Sequence, residues 1–90
     1  MVKKQVLVQN ESGLHARPGA EFVKLASQFK SNIKIMRTDN PAKLVNAKSI
    51  IFVLALGVKR NTMVEIQAEG EDAEEAVQKL VEFIESGLGE

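Results

Sequence analysis

The chain has no cysteine, no tryptophan and no tyrosine, and it carries a single histidine. Without cysteine there is no disulfide, no thiolate nucleophile and no sulfur ligand for a metal, and nothing points to an oxidising compartment. One imidazole alone neither builds a metal cage nor completes a catalytic triad, so neither a metal nor any other cofactor is expected. Phenylalanine is the only aromatic residue and occurs four times, too sparsely for nucleobases to stack along a basic surface. Direct nucleic-acid binding is therefore not expected. Long apolar runs are missing too. Residues 1 to 10 interleave Lys3, Lys4, Gln5 and Gln9 with valine and leucine, which is neither a signal-peptide core nor a membrane span. The expected location is the cytoplasm, with no membrane insertion.

What is present suffices for one modest core: residues 1–90 read as a single domain with 44% hydrophobic residues. The formal net charge of zero hides a division along the chain. Met1 to Arg60 holds eleven Lys/Arg against three Asp/Glu, a net of +8, and Asn61 to Glu90 holds one against nine, a net of −8. If the basic residues gather near the histidine, an anionic partner is steered there, with an on-rate that falls as salt rises. Scattered charges that only keep the protein soluble are the bland alternative.

Val2, Lys4, Val6 and Val8 alternate with Lys3, Gln5, Leu7 and Gln9, the period of a half-buried strand that ends near Asn10. Glu11, Ser12 and Gly13 form a turn. Ala16, Ala20, Val23, Leu25 or Ala26, and Phe29 then recur at helical spacing, predicting a helix from about Ala16 to Phe29 with Glu21, Lys24 and Gln28 on its polar face. Ile33 and Ile35, the turn Thr38-Asp39-Asn40-Pro41, and Lys43 to Asn46 read as a hairpin. The apolar run Ile50 to Leu56 lies between Ser49 and Gly57, the N-cap and C-cap residues of a short buried helix. Thr62 to Glu69 alternates as a strand. Asp72 with Glu75 three residues on has the form of a capping box, and Ala76, Val77, Leu80, Phe83 and Ile84 give one apolar face to a closing helix stopped by Ser86-Gly87. Strand, helix, strand, strand, helix, strand, helix predicts helices on one face of an antiparallel or mixed sheet whose other face is solvated.

His15 lies in Gly13-Leu14-His15-Ala16-Arg17-Pro18, where the turn hands over to the first helix. A helix beginning at Ala16 leaves its first N–H groups without internal acceptors, and its dipole adds partial positive charge. A neutral imidazole there presents a lone pair able to attack phosphorus, and Arg17 offers a planar fork of donors for phosphate oxygens. His15 and Arg17 are thus the candidate catalytic residues, and Ala16 and Arg17 the candidate phosphate-binding ones. Each residue also has a bland role: Gly13 makes a turn, Pro18 starts a helix, Arg17 is solvated. No second catalytic group stands nearby, which describes a carrier whose partners supply the machinery rather than a complete enzyme. Ser49 is the second candidate. Its capping role alone accounts for it, yet a phosphate there suits a helix N-terminus and would set a charge at the edge of the apolar run that follows.

The run Gly13 to Pro18, followed by Asn46-Ala47-Lys48-Ser49-Ile50 and Leu56-Gly57-Val58, resembles the HPr family, histidine-containing phosphocarriers of the bacterial phosphoenolpyruvate:sugar phosphotransferase system, in its Gram-positive form. The likeness spans the chain to Gly87-Leu88-Gly89-Glu90. It implies an α+β open-faced β-sandwich of order βαββαβα: a four-stranded antiparallel sheet, strand order 1-4-2-3, with three helices on one face. It also implies that His15 accepts a phosphoryl group on Nδ1 from enzyme I and passes it to enzyme IIA, with Arg17 stabilising the group. Ser49 would be phosphorylated by HPr kinase/phosphorylase, and that form would dock on a catabolite control transcription factor. A module acting mainly through phospho-Ser49 and such a factor is the alternative function, and an α+β interaction domain with an incidental histidine is a third. A carrier that visits several partners is most simply a monomer. The chain departs from the family at Gly19, where alanine is usual, at Ile51-Phe52, where methionine and glycine are common, and in a longer segment from Thr38 to Lys43.

Overall fold

A computed structural model describes all residues from 1 to 90. Along the chain run β1 (Val2–Val8), α1 (Ala16–Ala26), β2 (Asn32–Arg37), β3 (Val45–Asn46), α2 (Ile50–Ala55), β4 (Thr62–Glu69) and α3 (Ala73–Glu85). The plainest alternation in the sequence, that of β4, belongs to a central strand: the sheet order is β1-β4-β2-β3 and every pairing is antiparallel. Val6 faces Val64 and Ile35 faces Ile66, so one face of the sheet collects valine and isoleucine. The other face stays polar, with Gln5 opposite Glu65 and Lys34 opposite Gln67. Onto the apolar face α3 lays Ala76, Val77, Leu80 and Ile84, and α1 adds Phe22 and Ala26, all part of one buried cluster of 21 residues. The open-faced α+β sandwich with strand order 1-4-2-3 and three helices is the observed architecture.

Five local expectations are corrected. Helix α1 ends at Ala26, not Phe29: after the Ser27 N–H to Val23 carbonyl bond, Gln28 and Phe29 donate to Leu25 and Ala26, tightening the chain into turns. Phe29 keeps its apolar spacing because it packs on the core from that turn. The helix is also rotated, since Ala16 and Ala20 are exposed and the buried stripe is Pro18, Gly19, Phe22 and Ala26. Alanine has little area to hide, and the large ring of Phe22 decides which face turns inward. Strand β3 is two residues, not four, because the Lys43 N–H still closes a turn onto the Asn40 carbonyl. Helix α2 forms between its Ser49 and Gly57 punctuation, but within it only Val53 is buried.

The Asp72-Glu75 capping box does not form. Asp72 makes no side-chain bond to its own helix. Its carboxylate instead accepts from the Lys30 N–H and Ser31 N–H, both at 2.9 Å, and from the Ser31 hydroxyl, tying the start of α3 to the chain entering β2. The Ser31 hydroxyl first, then the Lys30 amide, lower the carboxyl from an ordinary 3.8 to about 2. The unfolded chain takes up this proton near 3.8 while the folded protein refuses it until about 2, so the stabilisation is complete above 3.8 and is lost as pH falls toward 2. Urea unfolding across that window is expected to show a falling midpoint in the parent chain and a flatter profile in Asp72→Asn.

Candidate functional site

Gly13 adopts a left-handed φ of 61°, and a Cβ there would collide with the Val58 carbonyl oxygen and lie 2.9 Å from Lys59 Cα. Only glycine fits so tight a seam. The turn closes on itself, with the Gly13 N–H donating to the Asn10 carbonyl at 3.1 Å and the Asn10 Nδ2 donating to the Gly13 carbonyl at 2.9 Å. Leu14 then anchors it: its N–H donates to the Val58 carbonyl at 3.0 Å and its side chain is buried.

His15 is the first residue past that anchor, exposed, in extended backbone as the N-cap of α1. Its carbonyl accepts from the Gly19 N–H at 2.6 Å, and its side chain makes no capping bond, so the imidazole is not consumed by structure. The N–H groups of Ala16 and Arg17 have no acceptor in the protein, and Pro18 has none to offer. One helical turn therefore holds an exposed imidazole, two free amides and the exposed Arg17, groups whose chemistry suits a tetrahedral anion. The structure thus brings His15, Ala16 and Arg17 together. Ser49 belongs to a different element, as N-cap of α2, where its Oγ accepts from the Phe52 N–H at 3.4 Å.

Two contributors were not expected from sequence. The Glu90 carboxylate accepts from Asn10 Nδ2 at 2.7 Å and from the Ser12 N–H at 3.3 Å, fastening the chain's last residue to the turn before His15. Those bonds, with a smaller contribution from the charge of Arg17, lower its carboxyl below the usual range. Sequence placed Asn10 only at the end of the first strand, and Glu90 lies 80 positions away and carried no local signal. The charge expectation is also modified, because Lys48 spends its ammonium on the Phe29 carbonyl at 2.6 Å, at the far end of α1 from His15.

Beside α1 the helix α2 shows an apolar surface, with Ile51 74% and Phe52 54% exposed. Phe52 faces outward. The helix is held from its C-terminal end by two cations, one at the end of β2 and one in the long β2–β3 connection. Lys43 Nζ donates to the Ala55 carbonyl at 2.9 Å, and Arg37, paired with Asp39 at 2.8 Å, reaches the Gly57 carbonyl at 3.1 Å. Cations at that pole complement the helix dipole. No helix is long and apolar enough to cross a membrane.

Residues 2–86 match the family model described as the PTS HPr component phosphorylation site. The chain is 51% identical over 83 residues to a multiphosphoryl transfer protein of Vibrio cholerae, a match covering 92% of the chain but 21% of that relative, so it spans about a fifth of such proteins. It is 36% identical over 90 residues to the phosphocarrier protein HPr of Neisseria meningitidis, covering 98% of that protein. Among solved structures, the crystal structure of HPr-C-His from Thermoanaerobacter tengcongensis superposes with a TM-score of 0.92 at 46% identity, covering 100% of this chain and 98% of that one. The chain belongs to the HPr family, the phosphocarriers of the phosphotransferase system.

Proposed function

We propose that His15 is the residue that carries the phosphoryl group. The observation behind this is the single turn that holds an exposed, unbonded imidazole beside the two unpaired amides of Ala16 and Arg17 and the Arg17 guanidinium. In the step, the lone pair of Nδ1 attacks phosphorus, a P–N bond forms, and the donor's bond to phosphorus breaks with its electron pair leaving on the donor. The amides and Arg17 neutralise the charge on the phosphoryl oxygens. Transfer onward runs the same step in reverse toward an acceptor.

His15 lines none of the surface concavities of the protein. A reactive group on an open surface suits a phosphoryl group presented to partners that bring the rest of the chemistry. On this reading enzyme I is the donor, charged from phosphoenolpyruvate, and enzyme IIA domains are the acceptors, all in the cytoplasm, with the chain acting as a monomeric single domain without a cofactor. Mixing the protein with phosphoenolpyruvate and enzyme I is expected to add one acid-labile phosphoryl group. No transfer under those conditions overturns the reading.

Ser49 is proposed as a regulatory phosphorylation site for HPr kinase/phosphorylase, with docking on a catabolite control transcription factor as its consequence. Support comes from its capping position: its Oγ already faces the first turn of α2, where a dianion is favourable. The product would be acid-stable, ATP-dependent and lost in Ser49→Ala.

Arg17 and Lys24 are exposed cations of α1, whereas Lys79 lies on α3. Arg17→Glu and Lys24→Glu are expected to slow association with enzyme I by about tenfold at low salt, and Lys79→Glu by much less, with the gap closing as salt rises. Stopped-flow association rates over an ionic-strength series make the check. Lys48→Glu is a poor probe of steering because it also breaks the bond to the Phe29 carbonyl.

A further inference from the structure

After α3, Gly87, Leu88 and Gly89 all hold left-handed φ, at 97°, 56° and 81°. Leucine is disfavoured there by the crowding of its Cβ, yet Leu88 is buried in the core, and its N–H donates to the Phe83 carbonyl at 3.0 Å. This turn delivers Glu90 to Asn10 and Ser12, just past the end of β1. Asn10 is 9% exposed and leaves its Oδ1 buried without a partner. Its Nδ2 has two hydrogens and both are committed, one to the Gly13 carbonyl at 2.9 Å and one to the Glu90 carboxylate at 2.7 Å. A strained leucine and an orphaned polar atom meet at one place beside the reactive turn, which points to function rather than to stability.

We propose that residues 87–90 form a latch on the turn before His15, with Glu90 as a positioning residue for phosphoryl transfer. The Glu90 carboxylate fixes the Asn10 amide, and the amide fixes the Gly13 carbonyl, two residues before the histidine. The same carboxylate takes the Ser12 N–H at 3.3 Å, so the turn is gripped in its middle as well. Leu14 ties the turn to Val58, and Glu90 ties it to the end of α3. With Glu90 removed, one hydrogen of the buried Asn10 amide loses its acceptor and the exposed Ser12 N–H passes to water. The turn is then held by Val58 alone, and the imidazole it presents is less sharply placed against the amides of Ala16 and Arg17. This deepens the reading of His15 as phosphoryl acceptor and rests on it.

Glu90→Ala is expected to slow phosphoryl acceptance from enzyme I roughly threefold to tenfold, a small misplacement of a reacting group being enough for that. The loss should fall on kcat rather than KM, because α1 and α2 are unaltered. In the unphosphorylated variant the ring ¹⁵N resonances of His15 are expected to move, and the Ser12 amide to exchange at least fivefold faster. Glu90→Gln still offers an oxygen to Asn10 Nδ2 and is expected to recover at least half of the lost rate. In an Asn10→Ala background, where the link is already cut, Glu90→Ala should cost less than twofold. Unmoved ring resonances in Glu90→Ala overturn the proposal whatever the rate does, and so do equal losses in Glu90→Ala and Glu90→Gln. If the parent chain takes no phosphoryl group at all, the carrier reading fails, and the ring resonances and Ser12 exchange still decide whether the latch exists.

Discussion

Replacing His15 with alanine is expected to abolish acid-labile phosphorylation while leaving the fold in place. The imidazole is exposed and makes no side-chain hydrogen bond, and the residue's structural task is done by its carbonyl, which accepts from Gly19 whatever side chain is present. Surface changes away from packed features cost within about 0.5 kcal/mol, so the variant's melting curve should overlay that of the parent. Loss of transfer is then total rather than partial, because alanine has no atom able to form a bond to phosphorus. Arg17→Ala is the informative companion: the nucleophile remains, and the rate falls by about a hundredfold with the loss of one charge-stabilising donor. Phosphate retained in His15→Ala and lost in Ser49→Ala would move the acceptor to α2 and overturn the assignment.

Gly13→Ala carries the largest expected effect on stability. The left-handed backbone at φ 61° costs an L-residue about 1–2 kcal/mol. The collision with the Val58 carbonyl loosens the bond from the Leu14 N–H, adding about 1 kcal/mol more, so the sum is about 2–3 kcal/mol. Gly57→Ala separates the two causes. Its φ is 67°, but the nearest neighbour of an added Cβ is Arg37 Nη1 at 3.7 Å, so only the backbone strain applies. Urea unfolding of the two variants is expected to place Gly13→Ala well below Gly57→Ala. Equal losses would mean that the seam between the turn and Val58 does not hold the site. Because that seam also fixes where His15 emerges, Gly13→Ala should slow phosphoryl transfer even where it remains folded.

The parts of this molecule legible in sequence are those where one strong local signal acts. The alternation of β4, the cap residues Ser49 and Gly57 around α2, and the handover from Gly13 to the helix carrying His15 are of that kind. Periodicity left the sheet antiparallel or mixed, and the strand order came only from the family resemblance. Where signals compete, local reading fails. Spacing chose Ala16, Ala20 and Val23 for the buried face of α1 and left Phe22 out, although burial energy scales with area and the ring of Phe22 outweighs the alanines. Asp72 had the right neighbour for a capping box, but two backbone amides and a hydroxyl from the chain entering β2 offered a better set of donors. The bonds of Glu90 to the turn exist only after distant segments meet.

The position of β4 between β1 and β2 has a consequence in time. The partner of Val2 is Ala68, and the outermost turn of the site hangs from Val58. As the chain leaves the ribosome, α1 and the β2–β3 hairpin can form from near neighbours, but β1 has no strand to pair with until most of the chain has been made. Distant pairings of this kind also place refolding toward the millisecond range rather than the microsecond range of helical bundles. A nascent chain displays the histidine early and cannot hold it in place until the fourth strand arrives.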